Sequence, residues 1–346
     1  MKNSPFVVAL SALLLAPMTS HAWAQDNSLV EAPQKKKSIR NAGIETPYTT
    51  RRPDPVVQNY EPAPAIWLLE DEDTKIYMFG TIHVLPEGFE WRNGVFDRIV
   101  GEVDELVVET SDADSDAGMQ TFFAELMADA DTRTPTSQRL TPEAGEKWLK
   151  LGRLAGIPQD QFDLTPPLLA MFGAGIEMME AQGSEHEYGV ETVLEAEFAE
   201  AGKPIGSIED SLEVLRSLLA IDEDLLLEEL EADLAAWDGN TIDTLGVEEE
   251  ESAEPAETID PFEGEHDWAQ GETSELGELG FGDTEFGIEL ERVLLENRNA
   301  KWTVWLEDRL DRPGSILLAV GAAHLAGDVS VQSMLTERGF EVKRIQ

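Results

Sequence analysis

The sequence predicts an α/β (α+β) chain: a central mixed, mostly parallel sheet flanked by helices, with a helical middle segment and a disordered acidic insertion. Three observations carry this expectation. Short apolar runs closed by Gly or turn residues alternate with longer segments whose apolar residues recur at helical spacing. Two of the runs end alike, Tyr77-Met78-Phe79 at Gly80-Thr81-Ile82-His83 and Leu317-Leu318-Ala319-Val320 at Gly321-Ala322-Ala323-His324. A third, Glu105-Leu106-Val107-Val108, follows the first after one helix length, Asn93 to Val103, and finishes on Glu109. Strand, helix, strand in that order favours a right-handed parallel crossover.

In chain order, Lys2 opens a basic start, and Phe6 to Ala16 is an apolar run too short to span a bilayer. Ala22-Trp23-Ala24 then offers a small-residue cleavage site, so residues 1–24 read as a signal peptide. Residues 25–64 carry Pro33, Pro47, Pro53, Pro55, Pro62 and Pro64 among basic residues and show no period, which predicts an extended tether. Residues 65–346 are read as one domain. Thr141-Pro142-Glu143 places an N-cap before a Pro at the first helical position, and a helix should run to Leu154. Helices are expected over Pro166 to Met179 and Val190 to Ala201. Gly202-Lys203-Pro204 stops the second before a short strand at Ile205. Ser211 to Trp237 reads as one long amphipathic helix.

Val247 to Gly282, with Glu248 to Glu251 in a row, Pro255, Pro261 and a Gly/Glu-rich stretch, buries too little apolar area to offset its ordering entropy and is expected to be a disordered spacer. Glu285 to Leu310 reads as one long helix. A turn at Asp311-Arg312-Pro313-Gly314, a buried strand at Ile316 to Val320, a helix over Asp328 to Arg338 and a strand at Glu341 to Ile345 complete the chain.

Composition restricts the setting. The formal charge is −45, and no Lys or Arg occurs between Ser217 and Glu291. Such a field repels nucleic acid and anionic membrane surfaces, leaving a peptide or small-molecule substrate and, for the acidic insertion, a basic protein partner. The chain has no Cys, which removes disulfides, thiol nucleophiles and a lipidated Cys. With the leader, this points to a periplasmic or secreted protein without a transmembrane segment after cleavage.

The repeated Gly-x-x-His ending is the chemical signal. Gly lets a chain leave a strand sharply, so His83 and His324 can face across the strand ends, where open α/β sheets place their chemistry. The crossover brings Glu109 to the same edge. Taken singly, each His reads more simply as a helix cap; the repetition favours a site. Two His and a carboxylate suit Zn, Mn, Co or Fe, and equally a metal-free acid–base pair. His186, between Glu185 and Glu187, reads as a loop residue and only a minor candidate, and His266 is given no role.

These residues resemble the TraB/GumN family, which includes Tiki-type metalloproteases and is similar in fold to erythromycin esterase and ChaN-like proteins. The resemblance rests on Gly80-Thr81-Ile82-His83, Leu106-Val107-Val108-Glu109, Arg298-Asn299-Ala300-Lys301-Trp302 and Gly321-Ala322-Ala323-His324. It implies that His83, Glu109 and His324 are metal or catalytic positions, that Arg298 and Asn299 form the family's Arg-Asn pair, and that Glu209 matches the Glu of its gkPv-x-LE segment. Two departures stand out: Gly189-Val190-Glu191 where the family has G-x-D, and Thr110-Ser111 where an acidic residue is usual.

The resulting expectation is a metal-dependent hydrolase of amides or esters, peptidase-like, with Mn, Co or Zn on His83, His324 and Glu109. Glu209 or Glu191 would be the base, and Arg298, reaching in from its helix, the oxyanion stabiliser. Two readings stand beside it. One is a metal-free esterase with His83 as base; the other is a non-catalytic periplasmic metal- or haem-binding protein or a polysaccharide-export factor.

Overall fold

The apolar runs assemble because each buries both faces against helices, as the computed structural model shows for residues 56–128, 132–240, 262–273 and 281–346. The expected signal peptide, most of the expected tether and 247–261 and 274–280 of the expected insertion lie outside the described residues. Eight strands are described: β1 (Ile66–Glu70), β2 (Thr74–Thr81), β3 (Leu85–Pro86), β4 (Glu105–Val108), β5 (Ser184–Glu185), β6 (Ile205–Ser207), β7 (Gly314–Gly321) and β8 (Val342–Arg344). Six form one sheet in the order β6-β4-β7-β2-β1-β8, and β3 pairs with β5. β6, β4, β7 and β2 run parallel, while β1 is antiparallel to both β2 and β8. Thr81 faces Gly321 and Val108 faces Ala319, so these strands end nearly level.

Alternation sorts the side chains. Phe79, Leu106, Val108, Leu317 and Ala319 pack on one side with Phe96, Ile99 and Val100 of α1 (Gly94–Glu102) and with Val190, Leu194 and Phe198. Ile76, Met78, Val107, Leu318 and Val320 pack on the other with Trp302, Leu306, Val331 and Leu335. That period of two is the strand signature, and each fully buried large side chain contributes roughly 1.5–3 kcal/mol. Asn93 starts α1 by accepting from the Val95 and Phe96 N–H groups, each at 3.0 Å.

The remaining helices are α2 (Asp112–Ala128), α3 (Pro142–Leu154), α4 (Gln159–Leu164), α5 (Pro167–Gln182), α6 (Val190–Ala201), α7 (Ser211–Leu218), α8 (Glu223–Ala236), α9 (Glu263–Ala269), α10 (Glu285–Glu291), α11 (Asn297–Leu310) and α12 (Val331–Glu337). Helices α3, α5, α7, α8 and α10 share a core containing Trp148, Met171, Met178, Leu230, Trp237 and Phe286. No described helix is long and apolar enough to cross a membrane.

Four features of the fold depart from the expectations or add to them. Ser211 to Trp237 is two helices, because the Asp222 side chain accepts from the Asp224 N–H at 3.0 Å and starts a new one. The long C-terminal helix is continuous but contains a π-turn, Arg292–Glu296, immediately before Asn297. The antiparallel strand β1 carries no Gly-x-x-His ending and was not singled out by the motif. Finally, Phe262–Thr273 does not behave as an unpacked spacer: α9 lies there, with Phe262, Trp268 and Ala269 buried. Composition averaged over the acidic run hides the two aromatic side chains that anchor it.

Candidate active site

Four parallel strands put four carboxyl ends on one edge, where helix and loop residues can converge. β2 delivers His83, β7 delivers His324, β4 delivers Glu109, and the segment after β6 delivers Glu209. α11 brings Arg298 and Asn299, which are buried on a helix that is otherwise polar outward. The π-turn before α11 shifts its register by one residue, and such turns concentrate at functional sites.

The first cluster is charged. The Arg298 Nε donates to both Glu209 oxygens at 3.0 Å, one of its terminal nitrogens donates to Glu109 and Glu209, and the other to the Leu294 carbonyl at 3.1 Å. The Trp302 indole N–H donates to Glu209 at 3.0 Å, and the Gly321 N–H to Glu109 Oε1 at 2.6 Å. Two carboxylates thus face one guanidinium. Burial works against the Arg298 charge, but Glu109 and Glu209 outweigh it and raise its pKa. Burial, with Glu109 adding to it, raises the Glu209 pKa against the pull of Arg298. The guanidinium is committed to these carboxylates and to Leu294, whereas the sequence suggests that it reaches a substrate carbonyl.

Beside it, His324 is wholly buried, its ring tilted against that of Trp302 with the centroids 4.2 Å apart. Its Nδ1 lies 2.6 Å from Asn299 Oδ1, and the Asn299 amide donates to the Val329 carbonyl at 2.8 Å. With its amide nitrogen pointed at a carbonyl, Asn299 can only accept from the imidazole. Nδ1 therefore carries the proton and Nε2 a lone pair. That Nε2 has no hydrogen-bond partner and sits 3.7 Å from Glu109 Oε1. Burial, then the charges of Arg298 and His83, hold the His324 pKa well below its ordinary value, so the ring is neutral.

His83 is held differently. Its Nδ1 is 2.7 Å from Glu191 Oε1, which also accepts from the Thr81 hydroxyl. Burial raises the Glu191 pKa, yet the His83 charge and hydrogen bonds from His83, Thr81 and the Glu191 backbone prevail and bring it below the ordinary value. Glu191 Oε2 is buried without a partner. The departure from the family's G-x-D therefore keeps its acid: a longer carboxylate reaches the first histidine. Gly189 is required there, because a Cβ would run into the His83 carbonyl. At the second departure, the Ser207 hydroxyl accepts from the Ser111 N–H at 2.8 Å, and the Thr110 hydroxyl is buried without a partner.

All five sequence-predicted residues thus lie at this edge. Direct contacts join Glu109, Glu209, Arg298 and His324, while His83 pairs with Glu191 and bears on His324 through its charge. Both Glu109 oxygens are engaged, Oε1 by Gly321 and Oε2 by Arg298. Among the described residues, no three His, Asp or Glu side chains are grouped to hold a metal ion. His186 pairs with Thr192 at 2.9 Å and His266 with Tyr60 at 2.6 Å; neither joins the cluster. Sequence reasoning missed Thr81 and Trp302 and left Asn299 without a role. The signal was there for Trp302, which lies four residues after Arg298 and three after Asn299 and so shares a helical face with each.

With this geometry in place, the chain can be compared with known proteins. The TraB/PrgY/gumN family model matches residues 65–344, and the chain belongs to that family. No curated protein and no solved structure matches it.

Proposed function

We propose that this TraB/PrgY/gumN chain is a metal-dependent hydrolase of amide or ester bonds, acting in the periplasm or outside the cell, as its signal-like leader suggests. The observation that carries the reading is the unpartnered Nε2 of a buried, neutral His324. A lone pair left facing a buried, polar edge is what a ligand to Mn, Co or Zn looks like when its other nitrogen is anchored, here by Asn299. His83, anchored by Glu191, is the second imidazole suited to that role. Glu109 fits less well, because its charge is already met by Arg298. A divalent ion so held would polarise a carbonyl and acidify bound water.

The chain's own residues then divide the remaining work. Glu191 holds Nδ1 of His83 and orients the ring, leaving Nε2 for the ion. Arg298 holds Glu109 and Glu209 in place as a positioning residue. Because Glu109 and Glu209 together exceed the single Arg298 charge, the edge favours a cation or a carbonyl over an anionic substrate.

The His83–Glu191 geometry also favours a second reading, metal-free hydrolysis with His83 as general base. Elemental analysis of the purified protein, with parallel peptide and ester turnover assays, separates the two. Metal-dependent hydrolysis predicts a bound divalent ion, lost together with turnover in His83→Ala and in His324→Ala, the double variant losing little more. Turnover that survives chelation would move the assignment to His83 as base. A tightly held ligand without turnover would leave the binding-protein reading.

A further inference from the structure

One element has no part in the chemistry above yet touches its first motif. In Phe262–Thr273, within the stretch that has no Lys or Arg, the buried Trp268 indole N–H donates to the Gly80 carbonyl at 2.8 Å. Gly80 opens the turn that delivers His83. It lies one residue past the last β1 partner of β2, where Ile66 faces Phe79. Trp268 supplies a donor to a carbonyl beyond the end of that pairing.

Gly80 is also constrained by the second motif. A Cβ there would come within 2.9 Å of the Ala322 Cα, in the turn that delivers His324. Gly80 thus meets both Trp268 and the second motif, so the indole that fixes its peptide bears on the packing of one histidine turn against the other.

The indole is itself well anchored. Its ring packs with Phe79 and Trp91 at 6.2 and 6.3 Å between centroids. The Ala63 N–H donates to the Ala269 carbonyl at 2.7 Å, Arg344 donates to the Gly271 carbonyl at 2.5 Å, and His266 is bonded to Tyr60. Gly271, at φ +83°, allows this turn; a Cβ there would meet the Ala63 carbonyl at 2.6 Å. The segment is therefore fastened both to the chain entering β1 and to β8.

We infer that Phe262–Thr273 is a strap whose Trp268 is a positioning residue: it fixes the Gly80 peptide and so sets the placement of the His83 turn against the His324 turn. The proposal rests on the two-His site described above, but its test needs no turnover. In the full chain, Trp268→Phe keeps an aromatic ring and removes only the donor. Amide hydrogen exchange should quicken about tenfold at residues 80–84 and 321–325, the equivalent of one lost hydrogen bond of ordinary strength, with little change in β4 and β6. The imidazole NMR signals of His83 and His324 should shift, and added Zn should bind more weakly. Gly271→Ala, which loosens the strap without touching the indole, should move the same amides in the same direction. Should Trp268→Phe fail to fold, the Gly271→Ala pattern decides alone. Exchange that is unchanged at both turns, or quickened uniformly across the sheet, would overturn the proposal and reduce the strap to a stabilising packing element. Altered exchange with no turnover in either protein would retain the strap and count against the hydrolase.

Discussion

The two Gly-x-x-His turns are near copies in sequence and are built in opposite ways. His83 sits on an irregular bend after β2, held by a carboxylate that arrives from α6. His324 sits on a 3-10 turn after β7, held by a neutral amide that arrives from α11. A charged acceptor stabilises an imidazolium, whereas a neutral one in a dry site does not. The difference teaches that one motif can place two histidines while its neighbours decide which of them is suited to the charged, doubly protonated form.

The support under the second turn is the place where a mutation should cost most. Arg298→Ala would leave Glu109 and Glu209 facing each other, buried and uncompensated, and we expect a loss of about 3–5 kcal/mol in urea unfolding. A loss below about 1 kcal/mol would mean that the two carboxylates are neutralised some other way.

Acid unfolding of the metal-free protein should separate the turns next. His324 is held well below its ordinary 6.5, so the unfolded chain takes up a proton that the folded chain refuses. Stability should therefore fall as the pH drops below 6.5, by up to about 1.4 kcal/mol per pH unit, and His324→Gln should flatten that slope. Glu191 is held below its ordinary 4.5, so its contribution is present above 4.5 and disappears as the pH falls through its lower folded value. Glu191→Gln should remove this second contribution. Urea titrations at stepped pH that show one merged window, unaffected by either change, would erase the contrast.

Smaller effects sharpen it. Asn299→Leu strands the His324 Nδ1–H and the Val329 carbonyl, at a cost of about 1–3 kcal/mol, and should scramble the His324 tautomer seen by nitrogen NMR. Asn299→Asp should restore the tautomer and make the second turn resemble the first. Smallest is Thr81→Val, which removes one of two hydrogen bonds to Glu191 Oε1 and should cost about 1 kcal/mol in thermal unfolding. No change there would show that His83 alone holds the carboxylate.

Much of the fold was legible because period and punctuation are local. Strands β2, β4 and β7, the cap at Thr141, the stop at Gly202 and the whole of α6 follow from residues within a few positions of one another. What escaped has an equally definite cause. Asp222 can either sit mid-helix or start a new helix, and only packing against the helical core selects the second. The Phe262–Thr273 strap was masked by its acidic surroundings, since two aromatic anchors weigh little in an average over 36 residues, 247–282.

The same division runs through the site. By itself, the sequence pointed to His83, Glu109 and His324 at one edge through a repeated motif and a strand-helix-strand crossover, and the family resemblance added Arg298 and Glu209. Only tertiary structure decided their partners. Arg298 turns to two carboxylates, Glu191 takes His83, and Asn299 takes His324, because hydrogen-bond choice depends on distances of about 3 Å between residues far apart in the chain. Burial then converts those choices into protonation states, and burial is a property of the packed whole that no local pattern contains.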